Sequence, residues 1–248
     1  WPVLRHVPLT RFITDPSWHP VQGLYQLTPM LSATLDSTLG AVLLATPLGI
    51  GSALFSRYYA PSFVAGGYRR LIELLAGIPS VVYVFWGLTT LAPLVGRLQP
   101  PGVSLLTGIL ILTLMILPTV ALTVDAALAA VPVAYIQGAA ALGLSRWGLI
   151  SGVALPAARS GIAAGTLLAA CRAIGETMAV LMVAGNVVEQ PQSIFDSVRT
   201  LTANIALEMA YATGEHRAAL FVSGMALMAM VLVLVGLAEL FSKERQHV

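Results

Sequence analysis

Long apolar stretches separated by shorter polar segments dominate the pattern of this chain. A helix needs roughly 20 apolar residues to cross a hydrocarbon core of about 30 Å, and each of these stretches is long enough. The stretches lack the alternation of barrel strands, and a helix satisfies every backbone polar group within its own segment. The pattern therefore predicts an all-α, polytopic membrane protein with spans at 31–55, 71–95, 103–124, 161–184 and 218–241.

Composition supports this class and excludes others. The 248 residues are 57% hydrophobic and 10% charged, whereas soluble domains carry about 25% charged residues. The net charge of +2 and the absence of a basic run argue against nucleic-acid binding. Cys171 is the single cysteine, so no intrachain disulfide forms, and the cysteine and histidines do not have metal-ligand spacing.

The distribution of cations predicts the orientation. If the spans alternate, seven Lys and Arg residues fall on one side and five on the other. The positive-inside rule then places the C-terminus in the cytoplasm and Trp1 outside. The richer side carries Arg57, Arg69, Arg70, Arg146, Arg159, Lys243 and Arg245, and the other carries Arg5, Arg11, Arg97, Arg199 and Arg217.

The segment 1–30 is polar and aromatic and is interrupted by prolines, and it is expected to be extracytoplasmic and to be followed by a transmembrane helical bundle over 31–248. A chain that starts outside needs a preceding element to begin insertion. We therefore expect a first helix ahead of this segment and six spans in the complete protein. A fragmentary sequence would give the same appearance.

Arg172 and Glu176 lie four residues apart within the predicted span 161–184, on one face of a helix. An arginine at the centre of a spanning helix costs roughly 2.5 to 3.5 kcal/mol on insertion scales, so the pair is expected to face a polar pathway or a partner. This favours a transport protein. The pair alternatively locks the helix to a neighbouring subunit, or belongs to the relay of a secondary transporter or channel.

Further pathway candidates are Ser80 and Tyr83, because Pro79 interrupts the second predicted span. Breaks of this kind line cavities in membrane proteins.

The connection 125–160 is long and too apolar for a solvated loop. Pro132 interrupts its first part, Gly143 is placed as a helix stop, and Ser145 is placed to cap a second helix that runs through Val153, ahead of Pro156. Apolar groups on this second helix predict a docking surface for another protein. An interfacial helix lying on the membrane is the alternative. The surface is formed by Trp147, Leu149, Ile150 and Val153.

The same connection resembles the EAA loop of ABC importer permeases, which carries the coupling helix that sits in a groove of the ATPase. Gln137 stands where Glu is usual and Gly138 where Ala is usual. Gln forms hydrogen bonds but no ion pair. The resemblance implies ATPase coupling by Gln137, Gly138, Ala139, Gly143, Trp147, Leu149, Ile150, Val153, Leu155 and Pro156.

A second resemblance is to the PstC family of phosphate permease subunits. It rests on ELLAGIPSVVYVFWGL at 73–88, RAIGETMAVLMVAGN at 172–186 and FITDPSWHPV at 12–21. It implies a type I (MetI-like) ABC importer fold, with Arg172, Glu176 and Thr177 in the phosphate pathway. A permease for another oxyanion, such as sulfate or molybdate, is the alternative.

The family also implies partners. These are a second, PstA-like permease, a dimeric PstB-like ATPase, a PstS-like phosphate-binding protein and membrane lipid. The sequence contains no GxxxxGK[ST] loop, so the chain is expected to bind no nucleotide and not to be an enzyme by itself. ATP and Mg would be used by the partner ATPase.

Overall fold

The structure is a computed structural model that describes residue 8 and residues 10–243, with side chains through residue 236. Part of the predicted topology depends on residues outside this range, namely Trp1, Arg5, Arg245 and the side chain of Lys243. The helices are α1 (Arg11–Thr14), α2 (Thr28–Leu54), α3 (Ser62–Gly77), α4 (Ser80–Trp86), α5 (Ala92–Leu98), α6 (Leu105–Ala129), α7 (Val133–Ala141), α8 (Arg146–Leu149), α9 (Leu155–Gly175), α10 (Met178–Val183), α11 (Leu201–Glu208) and α12 (Gly214–Lys243).

The remaining regular elements are short. Strands β1 (Trp18–His19) and β2 (Leu24–Tyr25) form an antiparallel pair around a 3-10 turn, Pro20–Gln22. π-Helical turns occur at Phe55–Tyr59, Gly87–Leu91 and Ile150–Ala154. The first extends α2 to Tyr59, and the other two join neighbouring α-helices into longer rods.

Within the described residues, five helical rods are long and apolar enough to cross a membrane, as the hydrophobic pattern predicted. The bounds of the first, third and fifth rods are shifted by a few residues from the predicted ones, and those of the second and fourth differ more substantially. The rods are Thr28–Tyr59, Ser80–Leu98, Leu105–Ala129, Arg146–Gly175 and Gly214–Gly236.

The predicted second span, 71–95, is two helices. Helix α3 ends at Gly77, and Ile78 and Pro79 are extended, with ψ of 129° and 140°. Proline has no N–H to donate and forces the preceding residue out of the helical region, so the chain starts a new helix at Ser80. The spanning rod is therefore Ser80–Leu98, and α3 is a separate helix.

The predicted fourth span, 161–184, is also wrong in its bounds. Ser145 caps the rod by accepting a hydrogen bond from Gly148 N at 3.1 Å, as predicted. The helix does not stop before Pro156, because the π-helical turn Ile150–Ala154 lies where the proline ring would otherwise disrupt an α-helix. The rod instead ends at Gly175, nine residues before the predicted end at Ala184.

Contacts divide the chain into two compact units. The first is built from 1–41, 79–113 and 172–233, and the second from 42–78, 114–171 and 234–248. The predicted division into a segment 1–30 and a permease domain 31–248 follows membrane topology and stays a prediction.

The core of the first unit joins the N-terminal segment to α11 and α12. Burial raises the pKa of the Tyr25 phenol, and the neighbouring Glu215 carboxylate raises it further. Because these residues bury their apolar surface together, the segment before α2 is an integral part of this unit. The core consists of Phe12, Trp18, Tyr25, Leu27, Met30, Leu201, Ala212, Ala219 and Leu220.

In the second unit, an ion-pair cluster lies near the end of α6. Asp125, whose side chain is 13% exposed, accepts from Arg57 Nε at 3.2 Å and pairs with Arg69 Nη1 at 3.1 Å. The predicted topology puts the connections 56–70 and 125–160 on the same side of the membrane. These contacts place Arg57 and Arg69 of the first connection next to Asp125, the start of the second.

Helices α6 and α9 approach closely in the second unit because glycines face α6. A Cβ added at Gly161 would lie 2.5 Å from Ala127 Cβ, and one added at Gly165 would lie 2.3 Å from Thr123 Oγ1. Small residues that let backbones approach are the usual device for packing helices in membranes.

We expect Gly165→Ala to destabilise the protein by about 1 to 3 kcal/mol, because the added methyl group overpacks this contact. The measurement is thermal unfolding in detergent. Gly51→Ala is the matched control, since Gly51 lies inside α2 and a Cβ there meets no atom within 4 Å. Equal stability of the two variants would contradict the close packing of α6 on α9.

Candidate functional site

Two interrupted helices of the first unit lie side by side. Helix α4 follows the break at Pro79, and helix α10 follows the break at Glu176 and Thr177. The two short helices pack against each other. The predicted pathway residues Ser80, Tyr83, Arg172, Glu176 and Thr177 all lie on these helices or at the breaks that precede them.

The predicted pairing of Arg172 with Glu176 on one helix is wrong. Helix α9 ends at Gly175, so Arg172 is in its last turn and Glu176 is outside it. In the part of the chain that the structure describes, these two side chains form no ion pair. Glu176 therefore does not fix the orientation of the guanidinium by an i,i+4 contact.

Glu176 is held by α10 and α11 instead. Its Oε1 accepts from Ala179 N at 3.4 Å, and its backbone carbonyl accepts from Thr202 Oγ1 at 3.1 Å. Thr177 Oγ1 donates to Gly175 O at 3.3 Å across the break. The carboxylate, which is half-buried, thus contacts the first turn of α10, where exposed backbone N–H groups favour a negative charge.

Arg172 presents its charge at the surface of this unit. Its side chain is exposed, and it interacts electrostatically with Tyr83, which is half-buried on α4. Ser80 is half-buried at the first position of α4. The accessible guanidinium of Arg172 is a group of hydrogen-bond donors suited to an oxyanion.

The predicted coupling segment belongs to the second unit and forms two short helices, α7 and α8. Gln137 and Gly138 are exposed on α7, whereas Ala139 is buried. Gly143 has φ of +71° and connects the helices, so its predicted role as a helix stop is confirmed.

The predicted docking face is partly wrong. Ile150 is fully buried, and Leu149 and Val153 are half-buried, so most of this face packs inside the unit. Of this face only Trp147, at 62% exposure, is accessible as predicted. The physical reason is that the second helix is not isolated but continues into the spanning rod Arg146–Gly175. The predicted coupling residues Leu155 and Pro156, which follow this face, are half-buried and exposed, respectively.

Other apolar residues take the place of the buried ones. Leu142 is 81% exposed and Leu144 is 45% exposed, on either side of Gly143. Together with Trp147 and the exposed Tyr135 of α7 they form an apolar surface, which we call the α7–α8 surface. In the sequence, this surface could have been found from the large apolar residues Leu142 and Leu144 on either side of Gly143, the glycine that ends α7.

Comparison with known proteins identifies the family. Residues 45–246 match the family described as "Binding-protein-dependent transport system inner membrane component". The chain belongs to this family. It is therefore a multi-pass inner-membrane permease subunit of an ABC transporter and not an enzyme by itself.

Relatives match the permease over most of its length. The "Probable ABC transporter permease protein YqgH" of Bacillus subtilis is 36% identical over 95% of this chain and 78% of its own. The "Phosphate transport system permease protein PstC" of Mesorhizobium japonicum is 33% identical over 92% of this chain and 76% of its own. The resemblance to the PstC family is thus confirmed.

Solved structures confirm the fold. The permease is similar, with a TM-score of 0.69 and 16% identity over 98% of this chain and 89% of the other, to a chain of a bacterial ABC transporter involved in the import of the acidic polysaccharide alginate. A chain of the MetNI methionine ABC transporter in an inward-facing conformation gives a TM-score of 0.66, at 17% identity over 91% of this chain and 95% of the other. The predicted all-α, MetI-like architecture is confirmed.

Proposed function

We propose that the permease is the transmembrane subunit of an ATP-driven phosphate importer, forms half of the translocation pathway and couples to a cytoplasmic ATPase. The observation that carries this proposal is the similarity to proteins named PstC over nearly the whole chain, including 32% identity over 92% of it to the protein of Xylella fastidiosa. A similarity this extended includes both interrupted helices and the coupling segment.

Arg172 is the residue proposed to meet the anion. Its planar fork of donors matches two phosphate oxygens at once, and it is exposed beside the half-buried Tyr83. The Ser80 hydroxyl lies at one helix break, and Thr177, whose hydroxyl donates to Gly175 O, lies at the other. Nonhelical backbone at membrane depth is tolerated where it lines a cavity, which supports a pathway along these breaks.

The α7–α8 surface is proposed to bind the ATPase. Its exposed Leu142, Leu144 and Trp147 are the kind of apolar and aromatic anchors that dominate protein interfaces. Gln137 and Gly138 are accessible beside them and supply polar contacts. This assignment places the C-terminus in the cytoplasm and the segment 1–30 outside, in agreement with the distribution of cations.

The importer needs further subunits in this proposal. A PstA-like permease forms the other half of the pathway, a PstB-like ATPase dimer uses ATP and Mg, and a PstS-like binding protein delivers phosphate. ATP binding shifts the permease pair toward the outward-facing state because that state has the higher affinity for the closed ATPase dimer.

Uptake by the reconstituted complex tests the proposal. Proteoliposomes that contain the permease and its three partners should accumulate labelled phosphate only when ATP is supplied inside and binding protein outside. Excess unlabelled phosphate should compete, whereas sulfate and molybdate should not. Preferential uptake of sulfate or molybdate would contradict the cargo, and phosphate uptake without ATP would favour a secondary transporter.

Glu176 is proposed to contribute to selectivity. Hydrogen phosphate has a proton to donate to a carboxylate, whereas sulfate has none and is repelled. We expect Glu176→Gln to reduce the phosphate-over-sulfate preference roughly tenfold, the effect of one hydrogen bond to a charged group. Competition assays in the same proteoliposomes measure it. Glu189→Gln, at an exposed carboxylate of the same unit, is the control. An unchanged preference in Glu176→Gln would exclude this role.

A further inference from the structure

A buried carboxylate joins three segments of the first unit. Glu208, at the end of α11, is 7% exposed. Its oxygens lie 3.0 Å from Trp18 Nε1, 2.8 Å from Arg199 Nη1 and 2.8 Å from His216 Nε2. Trp18 belongs to β1, Arg199 to the connection before α11, and His216 to the first turn of α12. Glu208 therefore fixes the end of α11 to the N-terminal segment and to the last spanning helix.

The first turn of the same helix contacts the break in the pathway. Thr202 Oγ1 donates to the Glu176 carbonyl at 3.1 Å. A second connection runs through Arg199, whose Nε donates to Asn186 O at 3.1 Å, and through Asn186, whose Nδ2 donates to Leu181 O of α10 at 2.6 Å. Glu208 is thus connected to the Glu176 break along α11 through Thr202, and to α10 by the hydrogen bonds of Arg199 and Asn186.

A contribution to folding stability does not by itself explain why the buried residue at position 208 is a carboxylate. Burying a carboxylate costs several kcal/mol of desolvation even when it is paired, and apolar residues of similar volume often stabilise a protein as well or better. The best-attested use of such buried polar groups is to fix the register of one element against another. Here the elements with a fixed register are the N-terminal segment, α11 and the Glu176 break.

We propose that α11 transmits the position of the N-terminal segment to the pathway, with Glu208 as its outer positioning residue and Thr202 as its inner one. Thr202 and Glu208 are separated by six helical steps of about 1.5 Å, so the helix spans about 9 Å between them. Docking of the binding protein on the N-terminal segment would shift α11 as a rigid body and change the Glu176 break. This inference rests on the proposed function.

A double-mutant cycle in the reconstituted complex tests the proposal. Glu208→Gln and Thr202→Val are each expected to lower the ATPase stimulation by phosphate-loaded binding protein about fivefold, as for the loss of one hydrogen bond, while basal ATPase activity stays unchanged. Sites about 9 Å apart without shared partners normally give additive free energies. If one helix carries both effects, the ATPase stimulation of the double variant is expected to be about fivefold lower than wild type in total. It should not fall by the product of the two single losses. Multiplying losses would overturn the proposal.

Controls separate positioning from local damage. Thr202→Ser keeps the hydroxyl and should restore stimulation. Glu215→Gln removes a carboxylate that contacts only Tyr25 OH, at 3.3 Å, among the described residues, and should behave as wild type. If Glu208→Gln prevents assembly, Trp18→Phe replaces it in the cycle because it removes one donor from the same carboxylate.

The wild-type complex distinguishes the two proposals. If it transports no phosphate, the proposed function fails. If it transports phosphate and the variants at Glu208 and Thr202 respond to the binding protein like wild type, the proposed function stands and the transmission by α11 is wrong.

Discussion

Replacing Arg172 with glutamine is expected to lower ATP-driven phosphate uptake at least about a hundredfold, because a bidentate contact contributes two charge-assisted hydrogen bonds to the anion. The exposed guanidinium lies in the last turn of α9, directly before the break at Glu176. Initial rates of labelled phosphate uptake in proteoliposomes measure the effect. ATPase activity measured in parallel reports whether the complex is assembled.

Two further variants test whether the loss of uptake is specific to the guanidinium of Arg172. Arg172→Lys keeps the charge but loses the planar fork, so its rate should lie between those of wild type and Arg172→Gln. Arg97→Gln is the matched control, since Arg97 is also an exposed arginine in the last turn of a spanning rod of the first unit. Wild-type uptake by Arg172→Gln, or an equal loss in Arg97→Gln, would contradict the assignment of Arg172 to the pathway.

Trp147→Ala is expected to weaken association with the ATPase about 30-fold, the effect of losing an interface hot spot of about 2 kcal/mol. The indole is 62% exposed on the α7–α8 surface, so its removal leaves no cavity inside the permease. Copurification of the ATPase and its dissociation rate from immobilised permease measure the change, and thermal unfolding of the permease should stay within about 0.5 kcal/mol of wild type.

Ile150→Ala is the complementary control. Ile150 is fully buried three residues after Trp147, and its truncation should cost about 2 to 5 kcal/mol of stability without removing a surface contact. The two variants thus separate docking from folding within one segment. If Trp147→Ala leaves ATPase association unchanged, the α7–α8 surface is not the docking surface.

Hydrophobic pattern and residue chemistry predicted most of the fold. The apolar stretches identified the spanning helices because length and composition alone decide whether a segment can cross a bilayer. Gly143 and Ser145 were correctly placed as helix stop and helix cap because a left-handed glycine and a capping hydroxyl act within one turn of the chain. The sequence was sufficient to predict the features that depend on interactions between residues close together in the chain.

Other features depend on contacts between distant residues. Nothing in the sequence around Glu176 indicates that Thr202 donates to its carbonyl, yet this contact accompanies the break that separates Glu176 from Arg172. Likewise, Ile150 has the same apolar character as Leu142, and only the packing of the second unit makes one buried and the other exposed. The apolar character of these residues alone therefore predicted a docking face that is partly wrong.

The buried side of α7 and the adjoining π-helical turn determine how the coupling segment responds to force. Ala139, Ile150 and Ala154 anchor it in the interior of its unit, where close packing leaves little room for side chains to yield. A displacement imposed at the exposed Trp147 is therefore not taken up by a flexible connection within the segment. If the ATPase docks on the α7–α8 surface as proposed, a displacement of that partner would move the helices that pack against Ala139, Ile150 and Ala154.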